Sequence, residues 1–221
     1  MKNVHIFFLI YLFLTYGCKD NDCNFAGTYQ FEIPATLTPA KATYRIGDTI
    51  SISSRFSDQV YEAQTNKTYL LEDFRFYPAF IINEISDSIV DRSALRNFDF
   101  IIDTNIYNFN KFILTTGTIA YDGEFYYNNN EYSLEYKFIP KETGLYLLHQ
   151  DAETGYWNDN QSFQGKCDNK RSNVRTLLNE EADNNIELAR NSKDPDYNSW
   201  IFGDLSKNFT YLGGYVFYVE E

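Results

Sequence analysis

Residues 131–138 read Glu-Tyr-Ser-Leu-Glu-Tyr-Lys-Phe, with apolar side chains at every second position and charge or hydroxyl between them. A strict period of two demands a strand with one buried and one wet face, the signature of an antiparallel sheet. The chain is rich in the side chains that such sheets favour, with 19 Tyr and 19 Phe among 221 residues. An aromatic content of 18% with 43% hydrophobic residues also excludes a disordered chain. The expectation is a mainly β domain.

Further strands are predicted at 27–33, 43–46, 49–56, 98–102, 111–121 and 124–127, and a long apolar stretch covers 68–85. Pro34 and Pro39 are expected to interrupt the first strand, and Pro78 the long stretch. Asn128-Asn129-Asn130 reads as a turn, as do Gly47-Asp48 and Asp122-Gly123. From Asp151 to about Asn208 the rhythm breaks. Ser172 or Asn173 reads as the cap of a helix running to about Arg190, with Val174, Leu177, Leu178, Ile186 and Ala189 as its apolar stripe. Residues 209–219 read as a last strand, with Gly213-Gly214 as a bulge or hairpin.

The N-terminus carries a second message. Lys2 begins a short positive region, residues 4–14 are apolar, and Gly17-Cys18 follows. The apolar run is too short to span ~30 Å of hydrocarbon as a helix. The arrangement resembles the lipobox of bacterial lipoproteins, although Thr15 stands where that family usually has Leu and Tyr16 is bulky. The resemblance implies cleavage after Gly17 and acylation of Cys18, and hence an anchor at the outer membrane. An ordinary signal peptide with an incidental cysteine is the alternative. Lys19-Asp20-Asn21-Asp22 resembles the export signal that sends Bacteroidota lipoproteins to the cell surface; the periplasmic face is the other possibility.

Glu142, Gly144 and Tyr146 follow the best strand and resemble the tyrosine corner of immunoglobulin-like sandwiches. The segment 43–52 resembles the start of strand B of bacterial domains of that kind. Together these resemblances imply a Bacteroidota cell-surface lipoprotein. Its parts are a signal peptide at 1–17 and an acidic leader at 18–23. An antiparallel immunoglobulin-like sandwich then covers 24–221, with a short helical insertion at about 151–208 near the C-terminus.

The net charge is −12. Loss of Lys2 makes the exported chain one unit more negative. That argues against nucleic acid, whose affinity rests on cations meeting phosphates, and against electrostatic adhesion of the molecule to anionic lipid. With Cys18 acylated, Cys23 and Cys167 remain, and an exporting chain favours their pairing; two free thiols are the alternative. The bridge would close about 140 residues and contribute about 4–5 kcal/mol.

Chemistry is thin. His149 is the one histidine beyond the signal, there is no Gly-x-Ser-x-Gly elbow, and zinc ligands at useful spacing are missing. Asp194-Pro195-Asp196 begins like a calcium loop, but the sixth position is Ser199 and the twelfth Leu205, so a polar turn is expected. No enzyme, metal or cofactor is assigned. Tyr156, Trp157 and Trp200 fall in predicted loops and are the candidate ligand contacts, with burial in the core as the competing reading. Thr49 and Ser88 follow aspartate and precede isoleucine, resembling Bacteroidota O-glycosylation acceptors. The expected function is a non-catalytic binding module for a glycan or extracellular protein. The alternative is an accessory subunit of a surface or fimbrial assembly, joined through strand 209–219.

Overall fold

A computed structural model of the chain describes residues 23–86, 93–113, 119–155, 161–182 and 184–221. Cys18, Ser88, Tyr156 and Trp157 lie outside the described residues.

Two sheets face each other. The first holds β1 (Tyr29–Thr38), β3 (Ile50–Ser57), β4 (Gln59–Glu62), β5 (Lys67–Leu70), β7 (Phe98–Ile102), β10 (Tyr126–Asn128), β11 (Glu131–Pro140) and β13 (Ser172–Leu178). Its order is β10–β11–β3–β1–β4–β5, with β7 also beside β11 and β13 beside β1. The second holds β2 (Thr43–Arg45), β6 (Tyr77–Glu84), β8 (Phe109–Ile113), β9 (Ile119–Gly123), β12 (Gly144–Glu153) and β14 (Gly214–Glu220), in the order β2–β14–β12–β6–β9–β8. Pairing is antiparallel except for β1 with β13 and β2 with β14.

Strand β11 behaves as its alternation dictates. Tyr132, Leu134, Tyr136 and Phe138 are buried, while Glu135 is exposed and Lys137 half-buried. Across the sandwich they meet Phe80, Tyr146 and Phe217; the Phe80 and Tyr136 rings stack with centroids 4.7 Å apart. Aromatics fill the gap between sheets because their large flat faces bury much area per residue. Asn129 and Asn130 both take left-handed dihedrals, φ 51° and 63°, closing the tight β10–β11 hairpin.

The tyrosine corner is present. The Tyr146 hydroxyl donates to the Glu142 carbonyl at 3.1 Å and accepts from Asn97 Nδ2 at 3.3 Å. Gly144 leaves room for the ring, since a Cβ there would stand 3.0 Å from it. Tyr146→Phe is therefore expected to lose about 1–2 kcal/mol in chemical denaturation, the net worth of a buried hydroxyl with two partners. An unchanged midpoint would mean that the corner adds nothing.

A third layer covers the outer face of the second sheet. Helices α1 (Ile186–Arg190) and α2 (Pro195–Gly203), with a π-helical turn at Ser206–Thr210, lay Ile186, Ala189, Ile201 and Phe209 over Leu145, Leu147, Val216 and Ile85. Strand β12 is thus buried on both faces, which explains its unbroken apolar run at 145–148.

Several expectations need correction. β1 runs straight through Pro34. The amides of Tyr29 and Leu37 point to the β13 side, bonding Arg171 O and Asn179 Oδ1, whereas that of Gln30 points the other way, to Glu62. Pro34 shares the parity of Gln30. Its missing N–H therefore faces the gap between β4 and β3, and its carbonyl accepts from Ser54 Oγ. Pro78 lies inside β6, just before pairing with β9 begins at Ala79. Residues 172–178 form strand β13 rather than a helix: Val174, Thr176 and Leu178 are buried in alternation. Left-handed Asn179, Glu180, Glu181, Asn184 and Asn185 then allow no α-helix among the described residues between β13 and Ile186, only a 3-10-type turn at Asn179–Glu181. Asp122 and Gly123 belong to β9 rather than a turn, and Phe209 sits in the π-helical turn, with the last strand starting at Gly214. The edge of β14 away from β12 is taken by β2 at residues 218–220 and, at Val216, by Asn184 and Asn185, which leaves little of it for a partner's strand.

Candidate functional site

The outward side of β12 changes character along its length. Alternation puts Leu145, Leu147, His149, Asp151 and Glu153 on one face, while Gln150 turns inward to meet the Tyr136 hydroxyl. Leu145 and Leu147 lie under the helices. His149 follows, 7% exposed, with Trp200 packed edge-on at 5.8 Å. Burial lowers its pKa to about 4, against a raising backbone bond to Asn208, and Nε2 has no hydrogen-bond partner. The imidazole is neutral at physiological pH and serves as a polar floor beneath the tryptophan.

Trp200 is not in a loop, as expected from sequence, but on α2, and it is 43% exposed. The helix is firmly started. Asp194, fully buried, accepts from the amides of Asp196 and Tyr197 at 3.2 and 3.0 Å, and Pro195 occupies the first turn. Asp194 Oδ2 also accepts from the Ser86 amide, tying the helix start to the end of β6. The Asp194-Pro195-Asp196 sequence is therefore a helix cap, more ordered than a polar turn. Tyr197, one turn before, meets Trp200 edge-on at 5.8 Å.

Beyond His149 the sheet opens. β14 pairs with β12 only as far as Gly214 opposite His149. Gly213, at φ 56°, turns the chain away against the Gln150 carbonyl, so close that a Cβ would lie 2.5 Å from that oxygen. On the far side β13 of the other sheet approaches, and Thr154 Oγ1 donates to the Ser172 carbonyl at 2.7 Å. Between them lies a cleft of about 350 Å³ lined by residues 151–155, residues 172–174 and Tyr211.

The cleft is acidic, and partial burial shifts its titrating groups. Burial pushes Asp151 up to about 7, although its Oδ1 accepts from the Ala152 amide at 2.8 Å; the charge of Glu153 pushes the same way. Glu153 is raised by burial and by Asp122, which is itself raised by burial. Burial and Asp151 raise Tyr211. Ser172 Oγ is buried without a partner. Carboxyl oxygens and a phenol can bind hydroxyl groups, and the exposed indole over His149 can stack on a flat apolar face.

Trp200 packs against His149, two residues before Asp151 on β12, and is not itself part of the cleft wall; residues 153–155, immediately before Tyr156 and Trp157, line the cleft. Asp151, Glu153, Ser172 and Tyr211 were not singled out from the sequence as ligand contacts. Their one local signal is the polar continuation, His149, Asp151 and Glu153, of the face that Leu145 and Leu147 bury. Thr49 is exposed, just before β3. Cys23 and Cys167 form a disulfide, Cα atoms 5.6 Å apart, and Tyr29 supports it: its hydroxyl accepts from the Cys167 amide at 3.1 Å. Elsewhere a fully buried carboxylate, Glu62, accepts from the amides of Gln30, Gln64 and Thr65 and from Thr65 Oγ1, fixing the β4–β5 turn to β1.

No protein-family model matches this chain, and no curated protein matches it. Solved structures resemble it distantly. A type II cohesin dyad from the adaptor ScaA scaffoldin of Acetivibrio cellulolyticus aligns at 9% identity and a TM-score of 0.31, covering 66% of this chain and 46% of that one. This chain thus spans less than half the length of that dyad. A human F-spondin reeler domain aligns at 11% identity and 0.32, covering 67% and 91%. The second type II cohesin module of the same scaffoldin aligns at 7% and 0.32, covering 65% and 92%.

Proposed function

We propose that this chain is a non-catalytic binding module, held at the outer membrane by lipid on Cys18 and displayed at the cell surface, that recognises a glycan. The observation that carries the reading is the exposed Trp200, held on a capped helix by Tyr197 and by His149, which stands two residues along β12 from Asp151, a wall residue of a cleft rich in hydroxyl-binding groups. A rigid aromatic loses little entropy on contact and offers a face to a sugar ring, while Asp151 and Glu153 accept from its hydroxyls. A protein partner would use the same tryptophan as an anchor.

Trp200→Ala is the test. The exposed side chain lies outside both buried clusters, so the fold survives, and binding on a glycan array should weaken at least tenfold, about 1.4 kcal/mol or more. Undiminished glycan binding would place the site elsewhere, and capture of a stoichiometric protein lost in the same variant would replace the sugar by a protein. Protease shaving of intact cells tests display: digestion supports the cell surface, and protection until permeabilisation puts the domain on the periplasmic face.

A further inference from the structure

The basic residues of this acidic chain are not evenly spread. Lys166, Lys170 and Arg171 fall within six positions, 166–171, and together with Ser162 and Asn169 they line one depression of about 450 Å³; Asp168 is the single acid in its wall. The ammonium groups are held in place without being neutralised. Lys166 Nζ donates to the Gln161 carbonyl, and Lys170 Nζ donates to the carbonyls of Phe25 at 2.7 Å and Gly27 at 3.3 Å, over the Phe25 ring. Among the described residues none of the three cations pairs with a carboxylate. Three cations, an amide and a hydroxyl around one hollow have the chemistry of a phosphate site.

The position of the hollow is as informative as its lining. Cys167 lies in its wall and is bridged to Cys23. Cys23 lies five positions after Cys18, a reach of about 18 Å at full stretch. Whatever surface holds Cys18 is therefore within a short tether of this depression. The opposite end of β12, with the Tyr146 corner, points away.

We infer that the depression formed by Lys166, Lys170 and Arg171 seats the phosphate of an acidic lipid headgroup, so that the disulfide-bridged end of the sandwich faces the membrane. The inference rests on the anchored reading for its geometry. The overall charge still opposes adhesion of the molecule as a whole; the local cations decide which end is turned to the membrane, because the rest of the acidic surface is repelled.

The experiment uses the full chain carrying Cys18→Ala, which cannot be acylated, in flotation with vesicles of phosphatidylcholine alone or mixed with phosphatidylglycerol. The expected result is salt-sensitive binding to the mixed vesicles only. Lys166→Gln with Arg171→Gln should weaken it roughly tenfold, while Lys41→Gln with Lys141→Gln, the same charge change at the opposite end, should not. Both variants should keep the parent's urea midpoint. Equal binding to the two vesicle types, or equal loss in the two double variants, overturns the inference. Failure to bind any vesicle while inorganic phosphate protects the loop from proteolysis assigns the site to free phosphate and overturns the lipid assignment. The intact mass of the wild-type chain from membranes judges the anchor separately: a mass without acyl groups removes the anchor and leaves the vesicle result to stand or fall by itself.

Discussion

Replacing Cys23 and Cys167 together by serine is expected to lower the unfolding free energy by about 5 kcal/mol, roughly half the total stability of an ordinary domain. The bridge spans a sequence separation of 144. Closing so long a loop removes many conformations from the unfolded chain, and the logarithmic dependence on length puts this bridge near the upper end of the range. The surroundings add to the loss. Cys167 is buried, in contact with Tyr29, and Phe25 and Phe163 pack on that same ring. The urea midpoint of the variant, compared with that of the oxidised and the reduced parent, checks this. Reduction alone should reproduce most of the drop, and a drop below about 1 kcal/mol would show that the bridge does not constrain the unfolded chain.

The second large effect has the opposite sign. Asp151→Asn should stabilise the protein above pH 7, by up to about 4 kcal/mol, since about three pKa units separate its folded value from the ordinary one. The folded form holds the Asp151 proton up to about pH 7, whereas the unfolded chain releases it near 3.8. Between those values the folded state binds more protons, so stability contributed by this group falls as pH rises. His149 works the other way. Its folded pKa of about 4 lies below the ordinary 6.5, so the unfolded state binds more protons between them and stability rises with pH. From about pH 4 to 6.5 the two nearly cancel in the parent. In Asp151→Asn the His149 effect stands uncovered, and stability should climb by about 3 kcal/mol across that window. Midpoints measured at several pH values separate the two: a parent and variant with parallel curves would mean that Asp151 is not desolvated. A carboxyl kept where it costs stability fits a residue retained for binding.

Local patterning carried the fold a long way. The alternation at 131–138, the paired asparagines at 129–130 and the Glu142–Tyr146 corner are each written within ten residues, and each is realised. The failures share a cause. Residues 172–178 look helical because Leu177 and Leu178 are adjacent and a polar Thr176 occupies a buried place. What makes them a strand is parallel pairing with β1, some 143 positions earlier, and no local pattern records that partner. Pro34 reads as a break because its neighbours are invisible in sequence; the gap between β3 and β4 makes it harmless. The cleft is the extreme case. It joins residues 151–155, 172–174 and Tyr211 only because β14 leaves the sheet at Gly213, so none of its members stands out singly. Trp200 was visible as a rare residue, but its exposure depends on the cap that Asp194 provides six residues earlier in the chain.

The disulfide also decides how this domain would bear a pull. Cys23 precedes β1 by six residues and Cys167 precedes β13 by five, and the two strands run side by side in the same direction. Tension arriving from the N-terminal side meets a covalent junction before it meets any hydrogen bond, and passes into both strands at once. To extract them, the paired strands must slide lengthwise against their neighbours, breaking many bonds together instead of unzipping one at a time. A molecule tethered at that end and gripped at Trp200 would stretch its short leader long before its core gave way.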